Sequence, residues 1–134
     1  MSHHFINTVK SWAEGSSNIC GLAVVGSYAR GTHREESDID LIVVCVERDG
    51  LLGCQDWIEL FGKVKSSRLE DYGANQSLRV FYKNDIEVEF GLVFQNWLRI
   101  PLDTGTRRVL TDGAKILYDP LSLFRIALEN IQGA

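Results

Sequence analysis

Two short apolar runs, residues 19–25 and 38–46, limit most strongly what this chain can fold into. Each has the length of a buried strand, and the second is rich in β-branched residues. The second run nevertheless begins with Asp38 and Asp40. Carboxylates two residues apart on a strand point to the same face, where they repel each other. Burying such a pair is costly unless a positive charge lies beside it, so the pattern predicts a strand that binds a cation.

The remaining sequence predicts helices around a sheet. Apolar residues at helical spacing indicate helices within residues 3–14, 51–65, 103–113 and 121–131. Further strands are predicted at 78–83, 86–93 and 114–119, and a polar stretch is predicted at 66–71. The chain has 134 residues and 45% hydrophobic content. We therefore expect an α/β (α+β) fold, a mixed β-sheet with flanking helices, in a single domain that spans residues 1–134.

Composition excludes several classes of protein. The net charge of −4 argues against nucleic-acid binding driven by bulk charge. Three cysteines without a CxxC spacing argue against a disulfide framework or a zinc site. No apolar run approaches the roughly 20 residues that span a bilayer, and the first residues lack the pattern of a signal peptide. We therefore expect a cytoplasmic protein with no membrane partner.

A Gly-Ser turn and two glutamates complete a candidate site. Gly26 and Ser27 end the first apolar run, and a short helical turn is predicted after them, so backbone amides and the Ser27 hydroxyl could hold an anion. Glu87 and Glu89 alternate with apolar residues in a strand that follows the predicted Asn84-Asp85 hairpin turn, and they share one face. If that strand lies beside residues 38–46, one of the two glutamates completes a three-carboxylate cluster. Such a cluster favours divalent magnesium.

The residues of this site resemble a known family. GSYARG followed by SDIDL, with ten residues between Ser27 and Asp38, is similar to the signature of the DNA polymerase beta-type nucleotidyltransferase superfamily. More narrowly, it resembles minimal and aminoglycoside-type bacterial nucleotidyltransferases. The resemblance covers about residues 19–93.

The resemblance implies a role for each part of the motif. It implies that Asp38 and Asp40 bind two Mg²⁺ ions and that a third acid is a metal ligand or the base. Counting from the hairpin turn favours Glu89 for that role over Glu87. The nucleotide contacts implied by the motif fall on Gly26, Ser27, Arg30 and Ser37. The Arg30 side chain either reaches a phosphate or braces the loop.

The expected activity is transfer of a nucleoside monophosphate from a nucleoside triphosphate, such as ATP, to a hydroxyl acceptor by a two-metal mechanism. The acceptor is a small molecule or a protein, and a homodimer is plausible. One alternative is an antitoxin-type minimal nucleotidyltransferase that modifies or binds a partner toxin. Another is a catalytically silent nucleotide-binding module.

Other polar residues are weaker candidates. Arg79, Arg107 and Arg108 could contact phosphate, although a surface or structural position is the favoured interpretation for each. His33 lies in the polar loop before Asp38, where exposure to solvent is favoured over catalysis.

Overall fold

The computed structural model describes residues 2–32 and 38–133. Six strands form one sheet, and their bounds are β1 Ile19–Val25, β2 Ile39–Cys45, β3 Val64–Tyr72, β4 Asn75–Tyr82, β5 Glu87–Phe94 and β6 Ala114–Tyr118. The α-helices are α1 Ser2–Glu14, α2 Ser27–Arg30, α3 Arg48–Gly53, α4 Thr104–Thr111 and α5 Leu123–Gln132, and two 3-10 helices cover Asp56–Phe61 and Gln95–Leu98. Of the helices described, none is long and apolar enough to cross a membrane.

The strand order in the sheet is β3-β4-β5-β2-β1-β6. Neighbouring strands run antiparallel except β2 and β5, which are parallel. The sheet is therefore mixed, as the sequence predicted. Parallel pairing makes β2 and β5 begin at the same edge of the sheet, which brings together the residues at their starts.

Each face of the sheet has its own apolar layer. On one face, α1 and the first 3-10 helix pack on alternate strand residues such as Leu41, Val43 and Phe90. On the other, α4, α5 and the second 3-10 helix cover Ile42 and Val44. Along β2, the side chains of this second face change from apolar at Val44 and Ile42 to acidic at Asp40. The acidic residue of β2, Asp40, therefore lies at the start of the strand. It is on the face that α4 and α5 cover, next to the apolar layer.

The predicted hairpin between β4 and β5 is confirmed. Strands β4 and β5 pair antiparallel around Asn84-Asp85. Asp85 adopts a φ of 68°, in the left-handed region that aspartate tolerates in turns. The Asn84 side chain also accepts a hydrogen bond from the Ile86 N–H at 3.2 Å.

The prediction of one helix over 51–65 is wrong. The segment contains the end of α3 and the first 3-10 helix, and Val64 already begins β3. Gly62 lies between them at a φ of 154°, which only glycine adopts without strain. The polar stretch 66–71 is the middle of β3, an edge strand whose residues are mostly exposed. Because neither face of β3 is well buried, its sequence lacks the apolar alternation that marks a strand.

Candidate active site

The acids meet at the shared edge of β2 and β5. Asp40 is the register partner of Glu89, and Ile39 is the partner of Val88. On the other side of β5, Glu89 pairs with Arg79 of β4. Glu89 therefore lies level with Asp40. Glu87 lies two residues earlier, at the start of β5, where the same register places it level with Asp38.

Arg79 is the centre of the acidic cluster. Its Nη1 donates to Asp38 Oδ2 at 3.0 Å and to Glu87 Oε2 at 2.6 Å, and its Nη2 donates to Glu89 Oε2 at 2.9 Å. Its Nε donates to Glu70 Oε1 on β3 at 3.0 Å. The side chain is only 14% exposed. Burial acts to lower the pKa of Arg79, but the bonds to Glu87 and Glu70 outweigh it and raise the pKa, so the guanidinium stays charged.

Asp40 is partly buried, and none of the hydrogen bonds of Arg79 goes to it. Burial, then the charges of Glu89 and Asp38, raise the pKa of Asp40 to about 6. Its Oδ2 lies 2.7 Å from the point where a Cβ would stand on Gly26. Gly26 also has a φ of 71°, which favours glycine. The Gly26 turn can therefore come this close to the carboxylate only because it has no side chain.

The chemistry of the donor set fits divalent metal ions. Five carboxylates, those of Asp38, Asp40, Glu70, Glu87 and Glu89, lie beside Arg79, and the Arg68 guanidinium also bonds Glu70, so three formal negative charges remain uncompensated at neutral pH. Carboxylate oxygens are the ligands that Mg²⁺ prefers. Within residues 2–32 and 38–133, however, no three acidic, histidine or cysteine side chains are arranged to hold a metal ion together. Two of the candidate ligands instead bond Arg79.

The Gly-Ser turn is braced from the far end of α4. Arg30 Nη1 donates to the Asp112 carboxylate at 2.8 Å and to its carbonyl oxygen at 3.0 Å. Arg30 therefore braces the turn in this structure, and its other predicted role, contact with a phosphate, stays a prediction. Ser27 begins α2, and its carbonyl oxygen accepts a hydrogen bond from the Thr32 N–H at 3.0 Å. The predicted nucleotide contact Ser37 lies outside the described residues, as does His33.

A cavity of about 220 Å³ lies between the turn and the acids. Gly26, Asp40 and Glu89 line it, together with Asn75 and Ser77 of β4. The Ser77 hydroxyl donates to Asn75 Oδ1 at 3.1 Å. Arg107 and Arg108 line a neighbouring groove on α4, which shares Val109 and Asp112 with the cavity. The structure thus brings Gly26, Asp38, Asp40 and Glu89 together, while these two arginines do not line the cavity.

Three residues beside this site, Glu70, Asn75 and Ser77, are not predicted from the sequence. Arg79 is predicted there as a surface or structural arginine or a phosphate contact, and the structure shows it bonded to four carboxylates. The signal in the sequence was weak: Ser77 and Arg79 alternate with the buried residues Leu78 and Val80 on β4, which places their side chains on the face of Glu89. Glu70 could not be found without β3.

Comparison with known proteins identifies the family of this chain. Residues 7–106 match the family model described as nucleotidyltransferase domain. The match covers most of the chain, so the protein belongs to the nucleotidyltransferase domain family. A search of curated proteins found no match.

A solved structure supports the fold at low sequence identity. A crystal structure of an aminoglycoside 6-adenyltransferase from Bacillus subtilis matches 66% of this chain with a TM-score of 0.54 and 13% identity. The match covers 33% of that protein, so this chain spans about a third of its length. A toxin-antitoxin structure with AMP-PNP gives a TM-score of 0.48 at 15% identity, over 99% of this chain and 86% of that one. A nucleotidyltransferase-like protein from Exiguobacterium sibiricum 255-15 gives 0.46 at 14%, over 98% and 39%.

Proposed function

We propose that this protein transfers a nucleoside monophosphate from a nucleoside triphosphate to a hydroxyl acceptor, with Asp38, Asp40 and Glu89 as ligands of two Mg²⁺ ions. The observation that carries the proposal is the register of the parallel pair, in which Asp40 faces Glu89. Two strands from distant parts of the sequence thereby supply acids to one point. The raised pKa of Asp40 supports it further: burial first, and then the charges of Glu89 and Asp38, disfavour the ionised carboxylate, which a divalent cation would stabilise.

The Gly26-Ser27 turn is proposed to hold the triphosphate. The first N–H groups of a helix have no acceptor within the helix, so they favour anions. The absent side chain of Gly26 leaves room for a phosphate to approach both the turn and Asp40. Arg30 supports this turn through Asp112 and is proposed to act on the nucleotide only through that brace.

In the proposed reaction, the acceptor hydroxyl oxygen forms a bond to the α-phosphorus and the bond from that phosphorus to the bridging oxygen of pyrophosphate breaks. Glu89 takes the hydroxyl proton on Oε1, the carboxylate oxygen that does not bond Arg79, and pyrophosphate leaves with the electron pair. Bound Mg²⁺ supplies stabilisation of the charge on the phosphoryl oxygens. The protein contributes mainly position and charge, as both substrates are held against the cluster.

A thermal stability experiment tests the nucleotide and metal sites. The melting temperature is measured with each common nucleoside triphosphate, with and without Mg²⁺ or Mn²⁺. A ligand at about 100 times its Kd adds about 2.7 kcal/mol, which is a readily measured increase. We expect an increase that needs metal and triphosphate together and that is lost in Asp38→Asn. An unchanged melting temperature under every combination would contradict the proposal.

A second experiment identifies the acceptor. The protein is incubated with triphosphates and candidate hydroxyl compounds, or with a cell extract, and adducts are detected by mass. An adduct on a small molecule and an adduct on a protein distinguish the two acceptor classes, and a modified toxin would identify an antitoxin role. Metal-dependent nucleotide binding with no pyrophosphate release in any mixture would instead support the silent module.

A further inference from the structure

Arg79 engages acids of two different kinds. Asp38 and Glu89 belong to the proposed metal ligands, whereas Glu70 and Glu87 do not. The guanidinium has five N–H groups, and the bonds to these four carboxylates use four of them. One cation therefore ties the ligand pair to a second pair of acids next to it.

We infer that Arg79 is a resident cation. It bonds Asp38 and Glu89 in the metal-free protein and releases both carboxylates when a metal ion binds. The inference rests on the proposed function, because it concerns the same ligands. Arginine is always charged, so its competition with a metal does not depend on its own protonation.

Competition explains the arrangement better than support of the ligands does. An arginine that oriented the acids for a metal would leave them grouped as ligands, but within the described residues no three such side chains are so grouped. The bonds of 3.0 and 2.9 Å draw Asp38 and Glu89 to Arg79 instead. A metal placed among the acids would also lie next to a like charge, which disfavours binding while the guanidinium stays there.

Glu70 and Glu87 offer Arg79 a second position. Both lie outside the proposed ligand set and bond Nε and Nη1 at 3.0 and 2.6 Å. The guanidinium can therefore keep two charge-assisted bonds after it releases Asp38 and Glu89. The edge strand β3 then contributes to the site through Glu70, which accepts a hydrogen bond from Arg79 on the side of β4 away from the metal ligands.

The test measures Mn²⁺ binding to the nucleotide-free protein by calorimetry. Arg79→Met should bind Mn²⁺ about tenfold or more tightly than wild type, since two charge-assisted bonds no longer compete with the metal. Arg68→Met is the matched control. Arg68 lies opposite Arg79 on β3, is 61% exposed and bonds Glu70 alone among the acids of the cluster. The Arg68→Met substitution removes the same charge, so the Mn²⁺ affinity of this variant should differ from that of wild type by less than about threefold.

Stability supplies a second measurement. Without metal, Arg79→Met should melt below wild type, because four carboxylates lose their shared partner, and Mn²⁺ should restore most of the loss. If Arg79→Met does not fold, side-chain nuclear magnetic resonance of the wild-type arginines in a Mg²⁺ titration replaces it. Saturating Mg²⁺ should then change the Arg79 Nη signals and leave its Nε–H bonded to Glu70.

The outcomes separate the two proposals. Wild-type binding as tight as that of Arg79→Met, or weaker Mn²⁺ binding by Arg79→Met, would overturn the resident-cation inference and leave the proposed function standing. Arg79 signals that do not respond to saturating Mg²⁺ would overturn it as well. If neither wild type nor Arg79→Met binds Mn²⁺, with or without triphosphate, the proposed function and the inference both fall.

Discussion

Replacing Asp40 by asparagine should stabilise the metal-free protein at neutral pH. Burial and the neighbouring acids raise the pKa of Asp40 to about 6, from 3.8 for an ordinary aspartate. Between about pH 4 and pH 6, the native protein therefore holds a proton that the unfolded chain has already lost. Because the native state binds more protons in this window, the free energy of unfolding falls as pH rises.

The size of the effect follows from the pKa. Each pH unit between the two pKa values costs about 1.4 kcal/mol, so the ionisation of Asp40 costs wild type at most about 3 kcal/mol between pH 4 and pH 7, and less where solvent screens this partly exposed group. The amide introduced by Asp40→Asn has no proton to lose, so the variant avoids this loss. At pH 7.5 the variant should exceed wild type by up to about 3 kcal/mol, or roughly 10 °C in melting temperature for a chain of this size. Near pH 4 the two proteins should be about equal.

Urea denaturation in EDTA at steps from pH 4.5 to 7.5 measures this difference. Tryptophan fluorescence reports unfolding, since Trp12 stacks on the buried Trp57 with ring centroids 5.1 Å apart. Asp56→Asn is the control, because Asp56 is exposed on the first 3-10 helix. Its curve should stay parallel to wild type at every pH. If the curve of Asp40→Asn is also parallel to wild type, burial and the neighbouring acids do not raise the pKa of Asp40, and this support for a metal site is lost.

Two further substitutions test the third acid and the turn. Glu89→Gln should lower the transfer rate by about 10²–10⁴-fold, as expected for a lost general base, and Glu87→Gln should lower it far less. If Glu87→Gln lowers the rate more than Glu89→Gln in the same kinetic assay, the third acid is misassigned. Gly26→Ala should lose about 2–4 kcal/mol of stability, because its φ is 71° and its Cβ would meet Asp40 at 2.7 Å. Gly73→Ala, with a φ of 79° but no atom within 4 Å of its Cβ, should lose only about 1–2 kcal/mol in the same denaturation experiment. Equal losses would mean that the close approach to Asp40 carries no cost.

The parts of the fold that could be predicted from the sequence are those in which burial of one face makes apolar and polar residues alternate along the chain. Strands β2 and β5 have buried cores, and their acids alternate with apolar residues, so the face of each acid could be predicted. The hairpin turn was predictable because Asn84-Asp85 is a turn signal with local chemistry. The family signature in residues 26–40 added the pairing of turn and acids.

The parts that sequence did not predict depend on contacts across strands. Arg79 lies 41 residues from Asp38 and 9 from Glu70, and nothing local to any of these residues indicates an ion pair. Their meeting depends on strand order and register, which were not known from the sequence. β3 was missed for a related reason, since an exposed edge strand has no buried face to impose alternation on its residues.

The brace between Arg30 and Asp112 has a consequence for the boundaries of the minimal folding unit. The family match ends at residue 106, yet Asp112 follows it and β6 lies beyond that, paired with β1 as far as Val25 and Ala114. A chain cut after residue 106 would open β1 as an unprotected sheet edge, which invites association between copies. It would also release Arg30 from its partner directly behind the Gly-Ser turn. The folded unit of this protein therefore extends past the residues that match the family model, through β6.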